Sequence, residues 1–233
     1  MSSEWKRIEL RELLEKTIGG GTPSKKVPSF WNGKIPWASV KDFNDDFYLK
    51  DIQDRITKQG LNSSASNLIK PLTPIICMRM AVGRVAMSLQ TVAINQDLRA
   101  LIPIDEVDVK YLIYLLQLNR SRIEGKGIGS TVKGININDL LSINILHNTN
   151  SKIQTKIAKI LTTIDNVIEK TEEAIAKYEA IKQGMMHDLF TRGIGEDGQL
   201  RPSFEDAPEL YKESALGWIP KEWKVKIIIK YQF

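Results

Sequence analysis

The sequence predicts an α+β protein, in which one mixed α/β domain is followed by a long coiled-coil-forming helix. The first observation is a heptad pattern of apolar residues that runs from Ser151 to Leu189 without a proline. The second is a series of short apolar runs before residue 150, with strand-like or helical spacing and with glycine- and proline-containing loops between them. The chain is therefore expected to have a folded first part and one extended helix.

The long helix is predicted over residues 151–192. Its apolar positions are separated by alternating steps of four and three residues, which is the spacing of a coiled-coil seam. A second row at Leu161, Ile168 and Ile175 widens the apolar stripe, and Gly193 is a typical helix stop. The seam consists of Ile153, Ile157, Ile160, Ile164, Val167, Thr171, Ala174, Tyr178, Ile181 and Met185.

A helix of this length, about 60 Å, cannot bury its stripe against itself. The sequence contains no second heptad pattern of comparable length. We therefore expect the helix to pair with another copy of the chain or with another protein. The alternative is a long core helix that packs on its own domain.

The folded part begins with Glu4–Glu15, where the apolar pattern alternates and then becomes helical. Gly19–Lys26 is a glycine-rich loop with two lysines, but it lacks the Gly-Lys-Ser/Thr order of a nucleotide-binding P-loop. Its backbone amides and lysines can approach phosphates, or it is a flexible connection. Phe30–Trp37 is an aromatic cluster around a predicted turn at Asn32-Gly33, and we expect it to lie in the core.

Two short strands are predicted in Pro74–Leu89, interrupted at Gly83. Arg79 and Arg84 flank this turn, where an arginine is well placed for a bidentate contact to guanine or to phosphate. The same position equally suits an ordinary solvent-exposed charge that makes no DNA contact. Asn95-Gln96-Asp97 follows a short apolar strand, and its amides are of the type that reads adenine edges.

An amphipathic helix is predicted over Val107–Ile123, followed by a second basic, glycine-rich loop over Gly125–Gly134. This loop superficially resembles a dinucleotide fingerprint, but the preceding strand and the acidic residue are missing. Ile135–Ile145 is predicted to be a short turn capped at Asn138 and followed by a strand.

After the long helix, residues 193–217 have the composition of a polar linker. Glu222-Trp223-Lys224 then repeats Glu4-Trp5-Lys6, so residues 218–233 are expected to be the truncated start of a second domain like the first.

Composition excludes several classes of protein. Cys77 is the single cysteine, which excludes a disulfide framework, and two histidines far apart do not favour a metal site or a catalytic triad. No signal peptide precedes the domain, and the apolar runs are too short to span a bilayer, so a cytoplasmic location without a membrane contact is expected. The formal charge of +5 lies entirely in residues 1–150, which favours a polyanionic partner or simply a solubilising surface.

Taken in order, several segments resemble the specificity subunit of type I restriction–modification systems. These segments are Gly20-Gly21-Thr22-Pro23-Ser24, Ile35-Pro36-Trp37, the strand pair around Gly83 with Asn95-Gln96, Gly129-Ser130-Thr131-Val132-Lys133-Gly134-Ile135, Gln154–Leu161 with Asp165, Met185–Gly193, and Gly217–Trp223. Each motif alone is weak, whereas the ordered set spans nearly the whole chain.

The resemblance implies a target-recognition domain for double-stranded DNA over 1–150 and a spacer and dimerisation helix over 151–192. In the family, two recognition domains each read one half of a bipartite site, two long helices pack antiparallel, and methyltransferase subunits dock around them. This chain has one such domain, one helix and the opening of a second domain. Where the family usually has Pro-Pro and a Glu-Gln pair before the helix, this chain has Asn148–Ser151 and Ile153-Gln154.

The sequence therefore predicts a DNA-recognition subunit without catalytic residues, metal or cofactor, which directs adenine methylation and cleavage by a methyltransferase (modification) subunit and a restriction/translocase subunit. As a homodimer it is expected to read a bipartite palindrome. The candidate DNA-binding residues are Thr22, Ser24, Lys25, Lys26, Arg79, Arg84, Asn95, Gln96, Lys126, Ser130, Thr131 and Lys133.

Two other hypotheses stay open. The chain is alternatively a stand-alone coiled-coil DNA-binding regulator, or an inactive remnant whose reading frame was lost at Lys226–Phe233. An enzyme is the least favoured hypothesis, because the Asn-Pro-Pro-Tyr motif of adenine methyltransferases, a nuclease carboxylate–lysine cluster and a Walker loop are all missing.

Overall fold

The structure is a computed structural model that describes residues 4–129 and 133–226. The chain divides into two compact units, the first ending at Thr163 and the second beginning at Ile164. The strands are β1 (Trp5–Glu9), β2 (Leu14–Gly19), β3 (Trp31–Ala38), β4 (Asp54–Ile56), β5 (Asn67–Ile69), β6 (Pro74–Cys77), β7 (Val85–Met87), β8 (Val92–Ile94), β9 (Leu98–Pro103), β10 (Asn144–Asn148), β11 (Tyr211–Ser214) and β12 (Gly217–Pro220). The α-helices are α1 (Lys58–Asn62), α2 (Val109–Leu118), α3 (Arg120–Gly125), α4 (Ile137–Leu141) and α5 (Ser151–Thr191).

The first unit contains two four-stranded sheets, with strand orders β2-β9-β6-β7 and β4-β3-β8-β5. All pairings are antiparallel except that of β3 with β8. A separate antiparallel pair joins β1 to β10 and brings the start of the domain next to the strand that precedes α5. The fold class is thus the predicted one, a mixed α/β domain with a long helix.

The main core lies around β6, β7 and α2, and it includes Leu10, Ile76, Leu112 and Ile145, all at most 1 % exposed. A second cluster fills the space between the two four-stranded sheets, where Ile75, Ile94 and Ala100 are completely buried. Cys77 belongs to this second cluster. Burial raises the pKa of its thiol to about 12, so the thiol is protonated at neutral pH.

Of the aromatic cluster, Trp37 lies in the core as expected at 4 % exposed, and the partly buried Trp31 packs against it edge to face at 5.2 Å. The turn predicted at Asn32-Gly33 is wrong. Both residues lie within β3, and the register with β4 shifts between Trp31 and Ile35. Asn32 has a φ of 58°, so the residues form an irregularity in the strand rather than a hairpin.

The helix predicted over Val107–Ile123 is interrupted at Asn119. The side-chain amide of Asn119 donates to the carbonyl oxygen of Leu115 at 2.8 Å, and this local bond competes with helix continuation. The cap predicted at Asn138 is also wrong. Asn136 caps α4, because its side-chain oxygen accepts from the backbone N–H of Asp139 at 2.9 Å.

The 41-residue helix α5 begins at Ser151 as predicted and ends at Thr191, and Gly193 follows with a φ of 67°. Where a linker was predicted over residues 193–217, the second unit has β11, and Phe204 in this range stacks on Trp218, which follows it, with ring centroids 4.3 Å apart. The sequence did not predict this structure, because its aromatic residues are widely spaced and form no periodic pattern. The functional division at residues 150, 192 and 217 stays a prediction, and part of the expected second domain lies outside the described residues.

Candidate nucleic-acid interface

The first glycine-rich loop is held tightly against the end of β8. The backbone N–H of Gly21 donates to the carbonyl oxygen of Ile94 at 3.0 Å. A Cβ placed on Gly20 would lie 2.1 Å from that same oxygen, so only glycine fits this approach. The Gly21 carbonyl oxygen accepts from Trp37 Nε1 at 3.1 Å and from Ser66 Oγ at 2.6 Å. The loop is therefore not a flexible connection at its start.

After Gly20 and Gly21, the loop reaches the surface of the domain. Ser24, Lys25 and Lys26 are exposed, whereas Thr22 is partly buried. The Thr22 hydroxyl donates to the side-chain oxygen of Gln96, which joins this loop to the segment after β8. Two of the predicted candidate segments, 74 residues apart in sequence, thus meet through one hydrogen bond.

In the Asn95–Asp97 segment, the side-chain amides of Asn95 and Gln96 have different roles. Asn95 is 5 % exposed, its side-chain oxygen accepts from the Asp97 backbone at 3.0 Å, and its amide nitrogen donates to the Asp97 carboxylate at 3.2 Å. Asn95 therefore shapes the turn and does not present its amide to a ligand. Gln96 is exposed, and its amide nitrogen also donates to Asp97 at 3.2 Å.

Arg79 extends the same surface. Its Nη1 lies 3.5 Å from the Asp97 carboxylate, and its side chain is 56 % exposed. The adjoining residue Met80 donates its backbone N–H to the carbonyl oxygen of Lys133 at 2.8 Å, and Lys133 is exposed. A continuous set of contacts thus links the two glycine-rich loops through the β6–β7 turn. We call residues 22–26, 79–80, 95–97 and 133–134 the loop edge.

Arg84 and Lys126 make other contacts. Arg84 Nη1 donates to the carbonyl oxygen of Phe43 at 2.9 Å, and its Nε lies 3.5 Å from Asp45. Arg120 binds the same carboxylate at 2.7 Å, and the pKa of its guanidinium is raised by a hydrogen bond to Glu124 and then by Asp45. Lys126 donates to Ser142 Oγ at 3.1 Å. The predicted candidates Ser130 and Thr131 lie outside the described residues.

The α5 helix has two differently packed parts. Gln154 and Ala158 are buried against the first unit, and the seam residues Ile153 and Ile157 are partly buried there. From Ile160 onward the seam is exposed, with values from 44 % at Ile181 to 70 % at Tyr178. The first turns of the helix therefore pack on its own domain.

In residues 4–129 and 133–226, no three histidine, cysteine, aspartate or glutamate side chains are grouped as ligands for a metal ion. Within the same described ranges, no helix has the length and apolar character needed to cross a membrane.

Residues 2–180 match the sequence profile of the family described as the type I restriction modification DNA specificity domain. The chain belongs to this family. The expectation drawn from the ordered motifs is thus confirmed.

Relatives of this specificity-domain chain carry corresponding names. It is 29 % identical over 227 residues to the type I restriction enzyme MjaIX specificity subunit of Methanocaldococcus jannaschii, covering 96 % of this chain and 50 % of that protein. It is 31 % identical over 188 residues to the EcoR124I/EcoR124II specificity subunit of Escherichia coli, covering 77 % and 45 %. The chain spans about half the length of these curated relatives.

Solved structures share the fold of the specificity-domain chain. The S subunit of a type I restriction–modification system from M. genitalium superposes with a TM-score of 0.59 at 22 % identity, over 81 % of this chain and 46 % of that one. The HsdS subunit from Thermoanaerobacter tengcongensis gives 0.56 at 19 % identity, over 82 % and 46 %.

Two of the motifs that indicated the specificity family now have physical roles in this chain. Gly20 and Gly21 allow the first loop to approach β8 closely, and Gln154 anchors the start of α5 in the first unit. Sequence reasoning did not find two exposed apolar residues, Met80 within the loop edge and Ile128 near it. The two signals that could have found them are the apolar residue directly after Arg79 and the isolated isoleucine among glycines.

Proposed function

We propose that this chain is a sequence-specific DNA-recognition subunit of a type I restriction–modification complex, and that the loop edge is its DNA-binding surface. The observation that carries this proposal is the chain of contacts from Thr22 through Gln96 and Asp97 to Arg79, and from the adjoining Met80 N–H to the Lys133 carbonyl oxygen. It gathers four segments of suitable chemistry on one surface of a domain that holds the whole net positive charge.

The residues of the loop edge suit different parts of a DNA duplex. Lys25, Lys26 and Lys133 are exposed cations that can neutralise phosphates, which supplies affinity without sequence information. Arg79, whose side chain is 56 % exposed, and Gln96, which is also exposed, carry the donors and acceptors that read base edges in the major groove. Ser24 and Thr22 contribute hydroxyl groups, and Arg84 and Lys126 support neighbouring structure.

The exposed seam of α5 is proposed to pair antiparallel with the α5 helix of a second copy. An isologous pair presents one reading surface in two inverted orientations. The target is then an interrupted palindrome, with two inverted copies of a short word around an unread spacer. The seam residues Ile160, Ile164, Val167, Ala174, Tyr178, Ile181 and Met185 form this contact, and Ile153 and Ile157 complete it beside the first unit.

The paired helices are also proposed to hold a methyltransferase subunit, which methylates adenines at the site, and through the complex a restriction/translocase subunit that cleaves DNA. The names of the relatives support this assignment, since both are specificity subunits of type I restriction enzymes. The chain itself acts without catalysis or a cofactor in this proposal, and it works in the cytoplasm beside the DNA.

A stand-alone DNA-binding regulator is the second candidate, because an exposed apolar seam serves self-pairing equally well without other subunits. Co-expression of the tagged chain with a type I methyltransferase subunit separates the two. A specificity subunit co-purifies with the methyltransferase and directs methylation, whereas a regulator binds DNA alone. Genome-wide mapping of methylated adenines in such cells should give an interrupted palindrome. An asymmetric bipartite motif would contradict the homodimer.

A further inference from the structure

Met80 is an exposed apolar residue in a backbone conformation that is unusual for methionine. Its φ is +64°, and 67 % of its surface is exposed. Among the described residues, Asn32 and Leu72 are the other non-glycine residues with positive φ. Such conformations cost energy, and they cluster at functional sites such as ligand clamps.

The surrounding loops hold Met80 in this conformation. Its backbone N–H donates to the Lys133 carbonyl oxygen at 2.8 Å, and the backbone N–H of Ile135 donates to the Met78 carbonyl oxygen at 2.9 Å. On the other side of the Lys133-Gly134 segment, Ile128 forms a bridge with Gly134 and is 76 % exposed. Met80 and Ile128 therefore lie on either side of one short backbone segment.

Cations flank these two apolar side chains. A Cβ on Gly134 would lie 3.3 Å from Arg79 Cγ, so the Arg79 stem crosses over that glycine. A Cβ on Gly127 would lie 3.0 Å from the side chain of Lys133, which crosses the second loop in the same way. Side chains at these glycines would displace both cations. Met80 and Ile128 are thus exposed apolar side chains with the cations Arg79 and Lys133 beside them. This arrangement suits a polyanion that also presents an apolar group.

We propose that Met80 and Ile128 form an apolar contact that reads the 5-methyl group of thymine in the major groove of the bound duplex. This inference rests on the proposed function and adds a specificity determinant to it. The thymine methyl is the apolar group that base pairs present in the major groove, and methionine and isoleucine side chains pack on such a group. Arg79 and Lys133, on either side, fix the pair against the phosphates and base edges.

The test uses the full chain assembled with its methyltransferase subunit and a library of random-sequence DNA duplexes. The wild-type complex should select a word that contains thymine, and replacing that thymine by deoxyuridine should weaken binding about fourfold, as expected for one lost methyl contact. Met80→Asn and Ile128→Ser should bind the thymine and deoxyuridine duplexes equally. Asparagine tolerates positive φ, so the first variant keeps the backbone conformation.

Leu72→Asn is the matched control, because Leu72 has a φ of 60°, is 49 % exposed and lies in a different turn. This variant should retain the fourfold preference. The inference is overturned if no thymine in the selected word shows a methyl dependence, or if both variants keep it. A wild-type complex that enriches no sequence at all contradicts the proposed function itself, and the inference falls with it.

Discussion

The side-chain oxygen of Gln154 accepts a hydrogen bond from the backbone N–H of Asp108 at 2.9 Å and so joins the start of α5 to the start of α2. The amide nitrogen of Gln154 donates to the carbonyl oxygens of Asn148 at 2.9 Å and Glu106 at 3.2 Å. Gln154 is completely buried. Three backbone groups from two segments of the first unit are thus satisfied by one side chain.

Replacing Gln154 by leucine should therefore lower the free energy of unfolding by about 2–4 kcal/mol, because buried backbone groups lose their partners. Chemical denaturation of the two proteins measures this difference. Thr155→Val is the control, since Thr155 is exposed and donates one bond to the Asp108 carboxylate at 3.1 Å. It should cost about 1 kcal/mol or less. Equal costs for the two variants would contradict the anchoring role of Gln154.

The double substitution Ile160→Asp with Ile164→Asp should convert a dimer into a monomer, because it places charges in the apolar seam. Light scattering at high micromolar concentration measures the mass. Ala176→Asp with Ala180→Asp adds the same charges at the same spacing on the opposite face of α5, and this control should stay dimeric. A monomeric wild type, or a double seam variant that remains dimeric, would exclude pairing through this stripe.

Neutralising cations of the loop edge should reduce the salt dependence of DNA binding. Arg79→Ala and Lys133→Ala should each lower the slope of log affinity against log salt by about one. Arg84→Ala should leave the slope unchanged and lower stability, because Arg84 bonds to the Phe43 carbonyl and faces Asp45. Measurements use the assembled complex at several salt concentrations. If both loop-edge variants keep the salt slope of the unmodified chain, the DNA-binding surface lies elsewhere.

Acid should destabilise the first unit through His147. Burial lowers the pKa of its imidazole below the usual 6.5, and among the described residues its Nδ1 has no hydrogen-bond partner. Between the lowered pKa and 6.5 the unfolded chain binds more protons, so this contribution is complete above pH 6.5 and is lost as the pH falls through the window. His147→Gln should flatten the decline in unfolding free energy, whereas His187→Gln, on the exposed surface of α5, should not.

The length of α5 should set the spacer of the DNA site. Deleting one heptad, Thr171–Lys177, shortens the helix by about 10 Å. Because DNA rises about 3.4 Å per base pair, the preferred gap should shrink by up to about three base pairs. Methylation mapping with the shortened chain reads the gap directly. The same gap in both proteins would show that the length of α5 does not set the spacer.

The sequence by itself determined the elements whose signals are local. The seven-residue repeat from Ser151 to Leu189 predicted α5 almost to the residue, because helix periodicity depends on side chains a few positions apart. The order of short motifs indicated the family. The glycine pair at the first loop and the strands around Gly83 were also found from local composition.

Only the tertiary structure decided which candidates meet. Thr22 and Gln96 come together because the end of β2 pairs with the start of β9, where Gly19 lies opposite Arg99. Arg84 turns away because Phe43 and Asp45 offer nearer partners. The burial of Asn95 likewise depends on segments distant in sequence. Such pairings are chosen by long-range packing and by hydrogen bonds between remote segments, and neither leaves a periodic signal in the sequence.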